Sequence, residues 1–501
     1  MKSSNRNLSR GDGRRLGNAA LIAFMLGSLL LLSLLRARFS PIGKTGEAMK
    51  AEEQQGLRKG SAKIEETVDD ATAASTAAEE EEEEIQPKAT DTSTSGSSAS
   101  VSTAAAVANH DQLPKPVCYE TSRRSDTCEA SGDVRVQGRT QTVHIRPLEK
   151  EWKVKPYCRK HDAFAQSHVK EWTLRPLSSS SPHCTVNSSG SGLTAFVLST
   201  GGFTGNLFHD YTDVLIPAFI TSRRFHGEVQ FLVSSYKSWW TSRYLQIFQQ
   251  LSNYEVLDID ADDEVRCYDK AVVGPTFHKE LGVDASKTPS PGYSMVDFRA
   301  MLRQAFGLER AAAEPSGDRW DIRRRPRLLI ISRKHTRAFL NERAMADMAM
   351  SLGFDVRVGE PDVSTDVGKF ARLVNSADVM VGVHGAGLTN MLFLPAGAVL
   401  VQIVPYGGLE WLARGTFKEP SPDMRIHYLE YMIQLDETTL SEQYAKDDPV
   451  LRDPASIHKQ GWDKLKTVYL DKQNVRPHLG RLKITFMEAL KLLPHGRGQS
   501  N

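Results

Sequence analysis

Apolar and polar positions along this chain fall into three regimes. Leu16 to Leu35 is almost continuously apolar, interrupted only by Asn18, Ser28 and Ser33 among polar residues. At about 1.5 Å of rise per residue, such a run makes a helix of ~30 Å, enough to cross a bilayer. From Pro41 to Pro116 the pattern dissolves into Ala, Ser, Thr, Gly and Glu, including the unbroken run Glu79 to Glu84. Low hydrophobicity with like charges in blocks predicts a solvated, extended segment. Farther on, apolar runs of strand length alternate with stretches of helical period, and the alternation occurs twice. The first set predicts strands at Leu193 to Ser199, Val229 to Ser234 and Tyr254 to Ile259, with helices at Asn206 to Arg224, Trp239 to Leu251 and Tyr293 to Gly307. The second predicts strands at Arg327 to Ser332 and Phe354 to Val358, and helices at Glu342 to Leu352 and Asp366 to Ser376.

The second set ends in the most informative segment. Val381-Gly-Val-His384-Gly385-Ala386-Gly387-Leu-Thr-Asn390, then Phe393-Leu-Pro395 and Val399 to Pro405, reads as strand, tight turn, short helix, strand. Gly385 and Gly387 let the backbone approach a ligand, and the start of the helix offers unpaired N–H groups to an anion. A phosphate-bearing ligand is expected there. A last helix is expected from His478 to Leu493.

Charge and cysteine content narrow the class. The formal net charge of +2 supplies no basic field for nucleic acid. More cations precede the apolar span (Lys2, Arg6, Arg10, Arg14, Arg15) than follow it (Arg36, Arg38, Lys44), which predicts a cytosolic tail and a lumenal remainder. In an oxidising lumen Cys118, Cys128, Cys158 and Cys184, without paired metal-ligand spacing, are expected to form two disulfides, leaving Cys267 alone. Asn187-Ser-Ser189 is an expected N-glycosylation acceptor. No G-x-G-x-x-G follows the opening strand of either set, and no P-loop lysine motif occurs, so a dehydrogenase and an ATPase both lose support.

Three ordered motifs then carry a resemblance. Asn206-x-x-His209-x-x-x-Asp213-x-x-x-Pro217, Ile331-x-Arg333-x-x-x-Arg337-x-x-x-Asn341-Glu342, and His384-Gly-Ala386-Gly-Leu-x-Asn390 with Leu394-Pro395 resemble glycosyltransferase family 61. The wording around them resembles the grass members that decorate xylan. The resemblance implies an α/β fold of GT-B type, with two Rossmann-like domains facing a cleft behind a single transmembrane helix and a disordered stem. The expected division is a cytosolic tail (1–15), a signal anchor (16–35), a stem (36–116), a cysteine-containing lead-in (117–190), an acceptor-side domain (191–325), a nucleotide-sugar-binding domain (326–477) and a C-terminal helix and tail (478–501). Also implied are a type II Golgi membrane protein of cell-wall biogenesis and UDP-arabinofuranose or UDP-xylose as donor. Xylan or another polysaccharide would be the acceptor, in company with other Golgi xylan-synthesis enzymes. The expected activity is inverting pentosyl transfer, foremost α-1,3-arabinofuranosyl substitution of xylan. A β-1,2-xylosyltransferase acting on arabinoxylan side chains, xylan or N-glycans is the alternative within the class. A catalytically inactive polysaccharide-binding or scaffold protein is the alternative outside it.

Inverting transfer needs a base for the acceptor hydroxyl and a cationic or dipolar partner for the departing diphosphate. His209 and Asp213, four apart on a predicted helix, share a face, and either one is a candidate base. Arg333, Lys334 and Arg337 follow a buried strand and are expected, with His384, Gly385, Ala386, Gly387 and Asn390, to hold the nucleotide. Asn206, Trp239 and Trp240 are candidate acceptor residues, and Tyr406-Gly-Gly408 with Glu410-Trp411 is a candidate contact to the uridine or ribose. Asp258-Ile-Asp260 and Asp260-Ala-Asp262 match a D-x-D pattern, but are read as a solvated acidic loop, and no metal is expected to be required.

Overall fold

Ten strands build one sheet and five another in the computed structural model, which describes residues 117–314, 325–361 and 365–494. The expected anchor (16–35), the stem (36–116) and the extreme C-terminal tail lie outside those residues. Among the described residues no helix is long and apolar enough to cross a membrane.

The first sheet contains β1 (Cys118–Ser122), β2 (Ser125–Gln137), β3 (Thr142–Arg146), β4 (Trp152–Val154), β5 (Trp172–Pro176), β6 (Val186–Asn187), β7 (Thr194–Ser199), β8 (Val229–Ser234), β9 (Leu257–Asp258) and β10 (Val265–Val273). Its order is β4-β5-β3-β2-β10-β7-β8-β9, with β1 on β2 and β6 on β10. β10, β7, β8 and β9 run parallel, whereas β2 joins β10 antiparallel. Residues 117–190 therefore extend the first sheet. Val134 and Val136 in β2 point inward on one face, whereas β3 is buried on both faces from Thr142 to Ile145. The expected strand at Tyr254 to Ile259 shrinks to β9, and β10, which was not anticipated, becomes the central strand.

The second sheet holds β11 (Arg327–Ile331), β12 (Asp355–Gly359), β13 (Val379–Val383), β14 (Val399–Val404) and β15 (His427–Met432), all parallel, in the order β12-β11-β13-β14-β15. The helices Glu342–Ser351 and Leu479–Leu492 cover one face through Met345, Ala349, Leu482 and Phe486. The other face enters a core that it shares with the first sheet. Ile331, Met380 and Leu400 pack there in one cluster with Phe196, Phe231, Phe219 and Phe298. Arg299, on the helix Met295–Phe306 and only 4% exposed, donates to the carbonyls of Leu392, Leu394 and Met424. It ties the end of the first set of elements to the second through hydrogen bonds made inside apolar surroundings.

The disulfides correct the expected pairing. Cys118 joins Cys128 across the β1–β2 pair, and Cys184 joins Cys267, leaving Cys158 as a buried thiol. Proximity along the chain favoured pairing among the first four cysteines. What brings Cys184 to Cys267 is β6 lying parallel to β10, a long-range contact with no local signature.

Candidate active site

The second sheet presents its ligand-facing end where the strand order reverses. β12 follows β11 on one side and β13 lies on the other, so the switch point, where a ligand crevice is expected in an open parallel sheet, lies between the carboxyl ends of β11 and β13. Arg333 stands two residues beyond the end of β11, and His384 directly follows β13. Their strands are neighbours, with Ile331 opposite Gly382. Gly385 has φ +146°, a conformation that L side chains rarely adopt, and it opens a 3₁₀ helix, Ala386–Phe393, where a short helix was expected. Ala386 and Gly387 remain partly exposed while Leu388 to Phe393 are buried, so the turn shows backbone to solvent and anchors its far end in the core. Asn390 spends its amide on this turn, Nδ2 donating to the Gly387 carbonyl at 2.9 Å.

The cationic loop divides into three. Arg333 is partly buried, and its Nε donates to the Thr336 carbonyl at 3.0 Å, which holds the side chain across its own loop. Lys334 is exposed and pairs with Glu360 at 2.9 Å. Arg337 is wholly buried at φ +56°, its N–H donating to the Gln473 carbonyl at 2.8 Å. The side-chain amide of Gln473, which the sequence did not single out, also bonds the Tyr406 backbone on both sides, so one buried residue braces the loops after β11 and β14 through its carbonyl and its side chain. The candidate uridine contact at Tyr406 to Gly408 is occupied by the chain itself: the Tyr406 hydroxyl donates to the Leu451 carbonyl, and a Cβ at Gly407 would meet the Tyr469 ring at 2.3 Å.

Across the crevice, the expected helix at Asn206 to Arg224 is continuous, but Asp210–Leu215 is a π-helical turn. Pro217 has no N–H to give the carbonyl of Asp213, and the helix widens just before it. His209 and Asp213 do share a face. Nδ1 of His209 lies 2.8 Å from Oδ2 of Asp213, and both residues are buried, at 2% and 0% exposure. Asp213 also accepts from Arg159 Nε at 2.8 Å, the Tyr157 hydroxyl at 3.0 Å and Arg124 at 3.5 Å. Burial opposes its ionisation, but Arg159 and His209 outweigh that and hold its pKa down at about 2. Burial and the Arg159 charge push the His209 pKa below its ordinary value despite Asp213.

This arrangement separates the two candidate bases. Asp213 is an ionised, enclosed carboxylate crowded by donors, and it accepts the proton of Nδ1. His209 is then a neutral imidazole with its lone pair on Nε2. The contact leaves Nε2 of His209, and no atom of the enclosed Asp213 carboxylate, as the open basic position of the pair, the geometry of an acid–imidazole dyad.

Several residues that the sequence had not marked complete the cluster. Arg124 and Arg159 also pair with Glu280, and Thr212 donates to Glu280 at 2.8 Å. Tyr157 and Arg159 come from the segment expected to be only a lead-in. Gly201 and Gly202 explain how it reaches the dyad: a Cβ at Gly201 would lie 2.2 Å from the His168 carbonyl oxygen, and one at Gly202 2.4 Å from the Tyr157 ring. These glycines admit protein, and the Tyr157 hydroxyl accepts from Phe203 N–H while donating to Asp213. Gly202→Ala, at φ +55°, is expected to cost about 1–3 kcal/mol by overpacking, read as a lower urea midpoint.

The candidate acceptor residues part company. Asn206 caps the helix, its oxygen accepting from Phe208 N–H at 2.9 Å. Trp240 is wholly buried and donates to Asp210 at 2.7 Å, beside Tyr244 donating to the same carboxylate at 2.8 Å, so it is a core residue. Burial pushes Asp210 up to about 6 against those bonds. Trp239 is 38% exposed and lies over Gly205, where a Cβ would sit 3.4 Å from its ring. Asn187 is exposed, its side chain accepting from Ser189 N–H.

The two sides of the crevice touch. Leu207–His209 packs against Ala386–Phe393, and the Phe417 ring meets both Phe208, at 6.1 Å, and His384, at 5.8 Å. The D-x-D carboxylates are engaged elsewhere. Asp260 accepts from Ser234, Ser235 N–H and Lys170, Asp262 pairs with Arg266, and Asp258 accepts from Ala261 N–H. Among the described residues no group of three His, Cys, Asp or Glu side chains converges as a metal site.

Stability should track these shifts. His209 and His278, the latter lowered to about 4 mainly by burial, have folded pKa values below the ordinary histidine value of 6.5. Their contribution is complete above that value and is lost as pH falls through the folded pKa. Asp210, raised from 3.8 to about 6, acts oppositely, favouring the folded state below 3.8 and losing that as pH rises through 6. His278→Gln is therefore expected to flatten the fall in urea midpoint between pH 6.5 and 4, leaving the midpoint at pH 8 nearly unchanged.

A parallel sheet with a cationic loop and a glycine turn at its switch point, facing an acid–imidazole dyad, defines an α/β group-transfer protein. The profile of the Glycosyltransferase 61 family matches residues 205–401, from the turn before the dyad to the strand after the His384 turn. An alpha-1,3-arabinosyltransferase of Oryza sativa subsp. japonica is 43% identical over 387 residues, covering 76% of this chain and 66% of that protein. A beta-1,2-xylosyltransferase of the same plant is 38% identical over 76% of this chain and 85% of its own length. A xylan glycosyltransferase of Arabidopsis thaliana is 36% identical over 74% and 78%. The chain belongs to glycosyltransferase family 61. It spans 66% of the length of the arabinosyltransferase that it matches, just under two thirds.

Proposed function

We propose that the chain is an inverting glycosyltransferase that moves a pentose from a UDP-sugar to xylan, with α-1,3-arabinofuranosyl transfer as the leading reaction. The single observation that carries the reading is the His209–Asp213 dyad packed against the His384 turn. In the proposed reaction an acceptor hydroxyl gives its proton to Nε2 of His209 as its oxygen attacks the anomeric carbon. The bond to the UDP oxygen breaks on the opposite face, and Arg333, His384 and the backbone at Ala386 and Gly387 stabilise the departing diphosphate. Asp213 offsets the charge that His209 acquires. Trp239 offers an aromatic face for an acceptor sugar ring.

The two sheets are read as Rossmann-like halves of a GT-B arrangement, sharing one core and one crevice. The chain is further read as a type II Golgi protein anchored by residues 16–35, glycosylated at Asn187 and acting without a metal. Arabinofuranose is favoured because the alpha-1,3-arabinosyltransferase relative is more similar to this chain than the xylosyltransferase, at 43% against 38% identity. The second reading, β-1,2-xylosyl transfer, is supported by the fuller coverage of the xylosyltransferase relative, 85% of its length. Purified full-length chain would be assayed with UDP-arabinofuranose, UDP-xylose and other UDP-sugars on xylo-oligosaccharides, with linkage analysis of the product. An α-1,3-linked arabinofuranose supports the first reading and a β-1,2-linked xylose the second. A folded sample with no turnover on any donor would overturn both in favour of a binding or scaffold role.

A further inference from the structure

Gln402 is the one polar residue in the run Val399–Val404, and it is wholly buried. An amide in the middle of a parallel sheet is costly unless both its ends are bonded. Both are. One end lies 2.7 Å from Nδ1 of His384, and the other lies 2.9 Å from the hydroxyl of Tyr428 on the neighbouring strand. That hydroxyl stands farther, at 3.5 Å, from Glu430, so its proton goes to Gln402. The amide end facing Tyr428 is therefore the oxygen, and the end facing His384 is the NH₂. A donor pointed at Nδ1 requires a lone pair there, which places the imidazole proton on Nε2.

We propose that Gln402, held by Tyr428, is a positioning residue that locks His384 as an Nε2–H hydrogen-bond donor to the diphosphate of the nucleotide. The ligand half of this inference rests on reading the crevice as a UDP-sugar site. The lock makes the two crevice histidines opposite in kind. At His209 a carboxylate accepts from Nδ1–H and leaves a basic Nε2, whereas at His384 an amide donates to Nδ1 and leaves an acidic one. One imidazole takes a proton and the other gives a hydrogen bond.

The test uses full-length chain carrying ¹⁵N-histidine, as wild type, Gln402→Glu and Tyr428→Phe, with His384→Gln to assign the resonance. In the wild type, long-range proton–nitrogen spectra should show His384 bare at Nδ1 and protonated at Nε2. Glutamate at 402 can only accept, so the neutral ring must turn its proton to Nδ1, and only the imidazolium keeps Nε2–H. UDP binding to Gln402→Glu, measured by calorimetry from about pH 5.5 to about pH 8.5, should be about tenfold weaker at the alkaline end and approach wild type at the acidic end. Tyr428→Phe should weaken binding by a smaller, pH-independent factor. A wild-type His384 protonated on Nδ1, or a Gln402→Glu enzyme equally weakened at every pH, would overturn the lock. Wild-type chain with the expected tautomer but no affinity for UDP would instead refute the nucleotide reading.

Discussion

His209→Ala is expected to lower kcat by about 10²–10⁴-fold, with KM for the sugar nucleotide changed little. The size follows from what is removed. Nε2 of His209 is the only proton acceptor that the dyad offers, because Asp213 is fully buried, is held at about 2 and already receives four donors. The donor side, built on Arg333 and the His384 turn, belongs to the other sheet, so nucleotide affinity measured with UDP should survive. Asp213→Asn should lose less than His209→Ala, since an asparagine oxygen can still accept from Nδ1–H and keep the tautomer. If His209→Ala turns over at wild-type rate while Asp213→Asn is dead, the base assignment is reversed. A pH profile adds a second check. With the His209 pKa held below its ordinary value by burial and Arg159, activity should remain high down to mildly acidic pH and fall only as the imidazole takes up a proton.

Arg159→Met is expected to be the most damaging change to stability, at about 3–5 kcal/mol. Arg159 is 1% exposed and donates to Asp213 at 2.8 Å. Methionine fills much of the volume but leaves a buried carboxylate facing only Arg124, at 3.5 Å, as a guanidinium partner. The sign of the pH effect is fixed by the shift. Asp213 is held down at about 2 in the folded chain against an ordinary aspartate value of 3.8, so its contribution is present above 3.8 and is lost as pH falls through 2. Without Arg159 the folded pKa rises as burial takes over, and the loss should move to higher pH. Urea unfolding at pH 7 and pH 4, with Arg159→Met/Asp213→Asn as the second variant, measures this. The double variant should recover part of the stability by removing the stranded charge. Additive losses would show that the pair is not coupled.

Legibility in the sequence followed locality. The helix Ser238–Leu251, the strand Val229–Ser234 and the C-terminal helix Leu479–Leu492 all stand within a residue or two of where period and capping put them. The dyad was visible for the same reason, since four residues on a helix place two side chains on one face. Arg124, Tyr157, Arg159 and Glu280 were not visible. Arg124, Tyr157 and Arg159 reach Asp213 from loops 54 to 89 residues away, and Glu280 joins them through the two arginines, and nothing in their own neighbourhoods says so. The same blindness put Trp240 on the acceptor list and left Cys267, in place of Cys158, out of the disulfides. Burial of an aromatic ring and the register of β6 on β10 are properties of the assembled sheet.

The sequence by itself determined the alternation of strands and helices, the family and the three motifs that carry it, because periodicity, capping and turn chemistry act over a few residues. Only the tertiary structure decided which member of the His209–Asp213 pair holds the proton and which accepts it. It also decided that Gly201 admits the His168 carbonyl and Gly202 the Tyr157 ring, and that a carboxylate faces Nδ1 of His209 whereas an amide faces Nδ1 of His384. Those outcomes depend on charges and hydrogen-bond partners brought from distant segments into a water-poor crevice, where each donor and acceptor must be matched.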